Sequence, residues 1–284
     1  MWAMLLWILW PFWVIGWQAY CLPVTLQYDL PAKLGNVLDR RTHKAALPEP
    51  HEQKKAGRKF GIFFCIGWNQ CAKDFERMAL ILARLVKAAF YHFETPTGCG
   101  NIARIGLATT LNWPRAEQLL KDGYTLILLG YSRGGLNAIA LARKLVKAGY
   151  PADRIIVITL ASPIRGSYLG FVQFLSMLPL FPLLGWLPYF RAFRAAWEMV
   201  PYSRGVRRTQ AAIRFLRKQG VQIKFFYFWR DSLVMKHQAA PPDEEVALIP
   251  GSCGHCSLRL ISVLRFTARQ IRKIIAETEQ ANAA

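Results

Sequence analysis

Residues 125–135 read Thr-Leu-Ile-Leu-Leu-Gly-Tyr-Ser-Arg-Gly-Gly, an apolar run that breaks into a serine set between glycines. Gly130, Ser132 and Gly134 satisfy the pattern G-x-S-x-G, which is weak by itself and gains its meaning from what flanks it. Before it, Thr125 to Leu129 reads as a buried strand. After it, Gly134 to Ala148 carries apolar residues at helical spacing. A strand that turns directly into a helix forces the residue at the corner into strained backbone geometry, and small neighbours leave room for that turn. Ser132 is therefore a candidate nucleophile. The plainer alternative is a tight turn with a capping serine.

Outward from this stretch, short apolar runs alternate with longer helical patterns. Strands are expected at Phe60 to Ile66, Tyr91 to Phe93, Arg154 to Leu160, Gln222 to Trp229 and Glu245 to Ile249. Helices are expected at Ala72 to Ala89, Thr209 to Lys218 and Ser257 to Ala276. Gly98-Cys99-Gly100 breaks the chain. This rhythm predicts an α/β fold with a mostly parallel sheet flanked by helices. Sites in such sheets form at the carboxyl ends of strands.

With its glycine-flanked serine, the chain resembles the α/β-hydrolase superfamily, within it the lipase and esterase branch, over approximately Lys59 to Ala276. The Ala161-Ser162-Pro163-Ile164-Arg165-Gly166-Ser167 segment resembles the T-P-H-x-G-S stretch of bacterial lipases. In that fold the acid and then the histidine follow the serine. Arg230-Asp231-Ser232-Leu233-Val234 is similar to the family's Asp-x-x-Val, and Gly254-His255-Cys256-Ser257-Leu258 to its Gly-His-x-x-Leu. The resemblance thus implies a triad of Ser132, Asp231 and His255. It also implies two amide donors for an oxyanion, the N–H of Arg133 and that of Trp68 in Ile66-Gly67-Trp68-Asn69, where Ile66 replaces the histidine of many relatives. Such chemistry requires no metal and no organic cofactor.

Cys253-Gly254-His255-Cys256 also spells C-x-x-C, as in thiol oxidoreductases. That reading needs further strands after the motif, and what remains reads as helix and tail. Two cysteines and one histidine this close do not complete a usual zinc site. The chain's 6 cysteines are too sparse for a disulfide framework and suit a reducing compartment.

The uncharged runs and the basic charge point to lipid. Residues 1–28 contain no charged side chain, and five of the chain's 10 tryptophans fall in the first 17 residues. A membrane anchor is expected there, kinked at Pro11, with a cleaved signal as the alternative. Between Pro31 and Phe60, 8 Lys or Arg face 3 acids, so residues 29–58 read as a basic polar linker that holds the body on the cytoplasmic side. A periplasmic or secreted body is the alternative. Tyr168 to Phe190 is a second uncharged run, broken by Pro179, Pro182, Gly185 and Pro188, and a lid is expected at about 168–205. From Arg191 to Lys218, eight basic residues face the single acid Glu198. Lys plus Arg number 37 against 17 acids, a formal charge of +20. No zinc module or aromatic-basic RNA motif accompanies that charge, so an anionic membrane surface is the expected partner rather than nucleic acid. The expected activity is serine-dependent hydrolysis of a lipidic acyl ester. A thioesterase or soluble-ester hydrolase with the same triad, and a non-catalytic scaffold, are the alternatives.

Overall fold

The computed structural model describes residues 51–52, 60–67, 72–88, 90–93, 113–167 and 198–283. Seven strands are present: β1 (His51–Glu52), β2 (Phe60–Cys65), β3 (Phe90–Phe93), β4 (Thr125–Tyr131), β5 (Ile155–Leu160), β6 (Gln222–Tyr227) and β7 (Val246–Leu248). They form one sheet in the order β1-β3-β2-β4-β5-β6-β7. All neighbours are parallel except β1 and β3. The α-helices are α1 (Ala72–Val86), α2 (Trp113–Lys121), α3 (Gly134–Lys147), α4 (Arg204–Lys218) and α5 (Ile261–Ala283).

Side chains alternate across the strands, so each central strand feeds two cores. Ile127, Leu129 and Tyr131 of β4 join α1 and α5 on one face. Leu126 and Leu128 join α2, α3 and α4 on the other. A strand buried on both faces has no polar side, which is why Leu126–Leu129 of β4 and Ile155–Ile158 of β5 read as continuous apolar runs. Each fully buried Leu or Ile in these layers contributes about 2 kcal/mol.

Strand order also explains where a site can form. From β2 the chain passes through α1 to β3, on one side of β2, whereas from β4 it passes through α3 to β5, on the other side. Right-handed crossovers running in opposite directions place their helices on opposite faces. Between the carboxyl ends of β2 and β4 the connections diverge, and a crevice opens there.

Three local expectations change. The sheet takes in His51 and Glu52, inside the stretch read as linker, because a two-residue strand carries no periodicity. Helix α2 went unread, since its nine residues span only about two and a half turns and bring Ala116, Leu119 and Leu120 to the core, too short a stretch for a period to emerge. Helix α4 begins at Arg204, a turn and a half before Thr209, because the Ser203 hydroxyl caps it by accepting from the Val206 N–H at 3.2 Å. Among the described residues no helix is long and apolar enough to cross a membrane. The apolar runs 1–28 and 168–190, linker residues 29–50 and 53–58, and Trp68 lie outside the described residues.

Candidate active site

Ser132 occupies the corner between β4 and α3 with φ of +55°, left-handed backbone that a non-glycine residue adopts only under constraint. The constraint is visible. Its N–H donates to the Leu160 carbonyl at the end of β5 at 2.8 Å, and its carbonyl accepts from the Gly135 N–H at 3.0 Å. A Cβ on Gly134 would collide with the Cys65 carbonyl at the end of β2, and one on Gly135 would strike the Ser162 side chain. The glycines therefore let α3 start flush against β2 and against the Ser162 segment. Nothing larger fits in either place.

Asp231 and His255 arrive on two later loops. His255 Nε2 lies 2.8 Å from the Ser132 hydroxyl, and its Nδ1 lies 2.8 and 3.0 Å from the two Asp231 carboxylate oxygens. A carboxylate only accepts, so the imidazole hydrogen belongs on Nδ1 and Nε2 is left to accept from the serine. Asp231 is buried, and its Oδ1 also accepts from the N–H groups of Leu233 and Val234 at 2.8 and 2.9 Å. Those bonds fix the carboxylate before the histidine meets it. The three residues named from the sequence thus come together, although 123 positions separate serine from histidine.

The histidine is held from several directions. Gly254, at φ of +80°, turns the chain into a 3-10 turn over His255–Arg259. The Gly254 N–H donates to the Trp229 carbonyl at 2.9 Å, and the Ser257 hydroxyl accepts from the Cys253 N–H and donates to the Gly254 carbonyl, each at 2.6 Å. The Ser252 hydroxyl accepts from the Trp229 N–H at 3.0 Å. Tyr131 donates its hydroxyl to the His255 carbonyl at 2.5 Å and stacks on the imidazole, centroids 5.3 Å apart. The closing helix begins at Ile261, after this turn, rather than at Ser257. Downstream of Cys256 the described residues are turn and helix, with no strand of the kind a thiol-oxidoreductase reading requires.

Arg133 follows the serine at the N-cap of α3, placing its backbone N–H at the start of the helix. Its guanidinium is fully buried and meets the Glu198 carboxylate at 3.3 Å. Glu198 stands just past the 168–197 stretch, whose two flanks meet: the Ser167 N–H donates to the Met199 carbonyl at 2.8 Å, and the Ser167 hydroxyl donates to the Leu233 carbonyl in the acid loop. The second expected oxyanion donor, Trp68, lies outside the described residues. Ile66 and Gly67, which lead to it, are buried at the end of β2. Among the described residues no group of three or more His, Cys, Asp or Glu gathers around a metal-sized space.

Sequence reasoning missed Tyr131 and the Glu198 pairing. Tyr131 is one of the two variable positions of the motif, and nothing local marks it. Glu198 carried a usable signal, as the single acid of a strongly basic stretch.

No family model and no curated protein matches the chain's sequence. Solved structures do match. Lipase BlEst2 of Bacillus licheniformis in its propeptide form is 18% identical, with a TM-score of 0.54 over 76% of this chain and 51% of that one. The chain thus spans about half the length of that protein. The mature form of the same lipase is 16% identical over 79% of this chain and 95% of that one, with a TM-score of 0.49, and Est1E from Butyrivibrio proteoclasticus is 15% identical over 81% and 93%, at 0.46. Parallel sheet, flanking helices and the propeptide-form likeness agree with the resemblance carried by the motifs: the chain has the α/β-hydrolase fold.

Proposed function

We propose that the chain is a serine hydrolase that cleaves acyl esters through an acyl-enzyme. The observation that carries this reading is the hydrogen-bonded series from Asp231 through His255 to Ser132 at the mouth of the sheet. Ser132 Oγ attacks the acyl carbonyl while His255 Nε2 takes its proton. The imidazolium so formed is stabilised by Asp231, which also keeps the ring turned toward the serine. The oxyanion accepts from the amide of Arg133 and from that of Trp68. Collapse of the tetrahedral intermediate expels the alcohol with the proton from His255. Water, deprotonated by the same imidazole, then releases the acid and restores the serine.

For the substrate, we propose a lipidic ester. In support stand the apolar run Tyr168 to Phe190, read as a lid, and the excess of basic over acidic residues. The lid reading gains support from the bond between Ser167 and Met199, which brings the two flanks of the run together beside the acid loop. That a lipase shares the fold agrees with this reading. The uncharged segment 1–28 is proposed as a membrane anchor, with the body on the cytoplasmic side.

Labelling by an organophosphonate tests the nucleophile. The full chain should form a covalent adduct and hydrolyse esters, and Ser132→Ala should lose both, with turnover falling on the order of a millionfold. Undiminished hydrolysis by a folded Ser132→Ala variant would end the proposal.

A further inference from the structure

Four large apolar side chains stand exposed among the described residues: Tyr202 at 78%, Ile261 at 49%, Trp229 at 47% and Leu248 at 39%. They come from four different parts of the chain, yet they share one edge of the molecule. Leu248 is the last residue of β7, and Trp229 lies two residues beyond the carboxyl end of β6. Tyr202 precedes α4 and Ile261 opens α5, and both helices start at the carboxyl edge because each follows a strand of the parallel sheet and runs back along it. Ser132 lies on that same edge. At the opposite edge the chain turns at Gly123, Gly149 and Gly220, and no large apolar side chain is exposed there among the described residues.

Cations accompany the apolar residues. Arg204, Arg207 and Arg208 are exposed in the first two turns of α4, Arg265 is exposed in the first turns of α5, and the Arg230 guanidinium lies over the Trp229 ring at 5.4 Å. Helix α4 has no acid at all. Glu198, just before it, turns inward to Arg133, and Glu244 is held at the far end of α4 by Arg217. Glu76 and Arg77, both exposed near the start of α1, carry opposite charges and add no net charge there. The rim around the crevice is therefore apolar and cationic together.

We infer that this carboxyl rim is a docking surface for an anionic lipid bilayer, seating the Ser132 crevice against the membrane. The inference rests on the reading of the site as a lipid-ester hydrolase and adds where, and by which residues, the protein meets its substrate's phase. Aliphatic Leu248 and Ile261 give nothing to a phosphodiester backbone or a nucleobase stack, whereas acyl chains accept them, and arginines beside them match anionic headgroups. A bilayer fits both halves of the surface.

The test uses the full chain carrying a photo-crosslinking residue in place of Tyr202 or Ile261 on the rim, or of Gln219 at the opposite edge, mixed with phosphatidylcholine vesicles with or without phosphatidylglycerol. Both rim positions should crosslink to lipid, more strongly with phosphatidylglycerol and less as salt is raised, while Gln219 should not. Equal crosslinking from Gln219, none from the rim, or preferential crosslinking to a polynucleotide supplied at equal phosphate would overturn the inference. This arm needs no turnover, so it stands apart from the fate of the hydrolase reading. A second arm reads activity. Arg207→Glu with Arg208→Glu should lower hydrolysis of a vesicle-borne ester by roughly tenfold or more, each charge near the surface being worth about fivefold, and leave a short soluble ester within about twofold. Equal loss on both substrates would count against docking. Failure to hydrolyse either ester in the unsubstituted chain would instead count against the hydrolase.

Discussion

The corner that carries Ser132 and the loop that carries His255 are held by different physics. Ser132 is fixed by its own backbone: a strained φ of +55°, a bond to the end of β5, and glycines that let β2 and the Ser162 segment press against the turn. His255 is fixed by side chains: Ser252, Ser257 and Tyr131 reach main-chain atoms of its loop and of Trp229, and Asp231 reaches the imidazole ring, in a loop with no sheet pairing of its own. The first arrangement tolerates almost no added atom. The second is distributed, and losing one tie leaves the others.

This contrast breaks most sharply at Asp231, the one tie to the imidazole ring that also carries charge. Asp231→Asn is expected to lower kcat by about ten thousandfold, because the amide can present a donor to Nδ1 and favour the wrong tautomer. Folding should survive, since an amide oxygen still accepts from Leu233 and Val234. Steady-state kinetics beside a thermal melt would check both halves, and near-normal turnover would place the acid elsewhere.

Next in size is a stability effect in the backbone-held corner. Gly134→Ala sets a methyl against the Cys65 carbonyl, a main-chain atom of a central strand that cannot swing aside. A loss of about 3 kcal/mol or more is expected in urea unfolding. A variant as stable as the parent would mean that the corner is less tightly held than the side-chain-tied loop.

Glu198 probes the connection between the corner and the chain returning from 168–197. Glu198→Gln keeps a hydrogen-bond acceptor for the buried Arg133 guanidinium and removes the opposite charge, at an expected cost of about 2 kcal/mol in stability. Arg133→Met in that background should cost less than it does alone, because the two residues share one interaction. Additive losses would show that the pair is incidental.

The two regions also differ in how plainly the amino-acid sequence announces them. The Ser132 corner is legible because its requirements are local: an apolar strand, glycines at fixed offsets and a helix, all within about 24 residues of chain. Strands β4 and β5 are legible because burial on both faces leaves a run of four apolar residues in each, Leu126–Leu129 and Ile155–Ile158. Asp231 and His255 are legible through motif and order, not through periodicity. Tyr131 lies 124 positions from the backbone it supports, and Arg133 lies 65 from Glu198, so neither partnership leaves a local trace. Helix α2 and strand β1 are too short for a period to emerge.

The smallest effect belongs to the cysteines that straddle the histidine. Cys253 and Cys256 invite a redox reading, but the loop's described ties run through the Cys253 amide, the Gly254 amide and carbonyl, and the hydroxyls of Ser252 and Ser257. Serine replaces each sulfur with an oxygen of similar reach and leaves all of those groups in place. Both cysteines are half-buried, so a slightly more polar side chain is tolerated there. Cys253→Ser with Cys256→Ser should therefore keep ester hydrolysis within about tenfold, a change of about 1.4 kcal/mol or less in the barrier. A much larger loss, with the fold intact by circular dichroism, would mean that the thiols themselves set the position of His255. The histidine loop would then be as intolerant as the serine corner, and the contrast between the two would disappear.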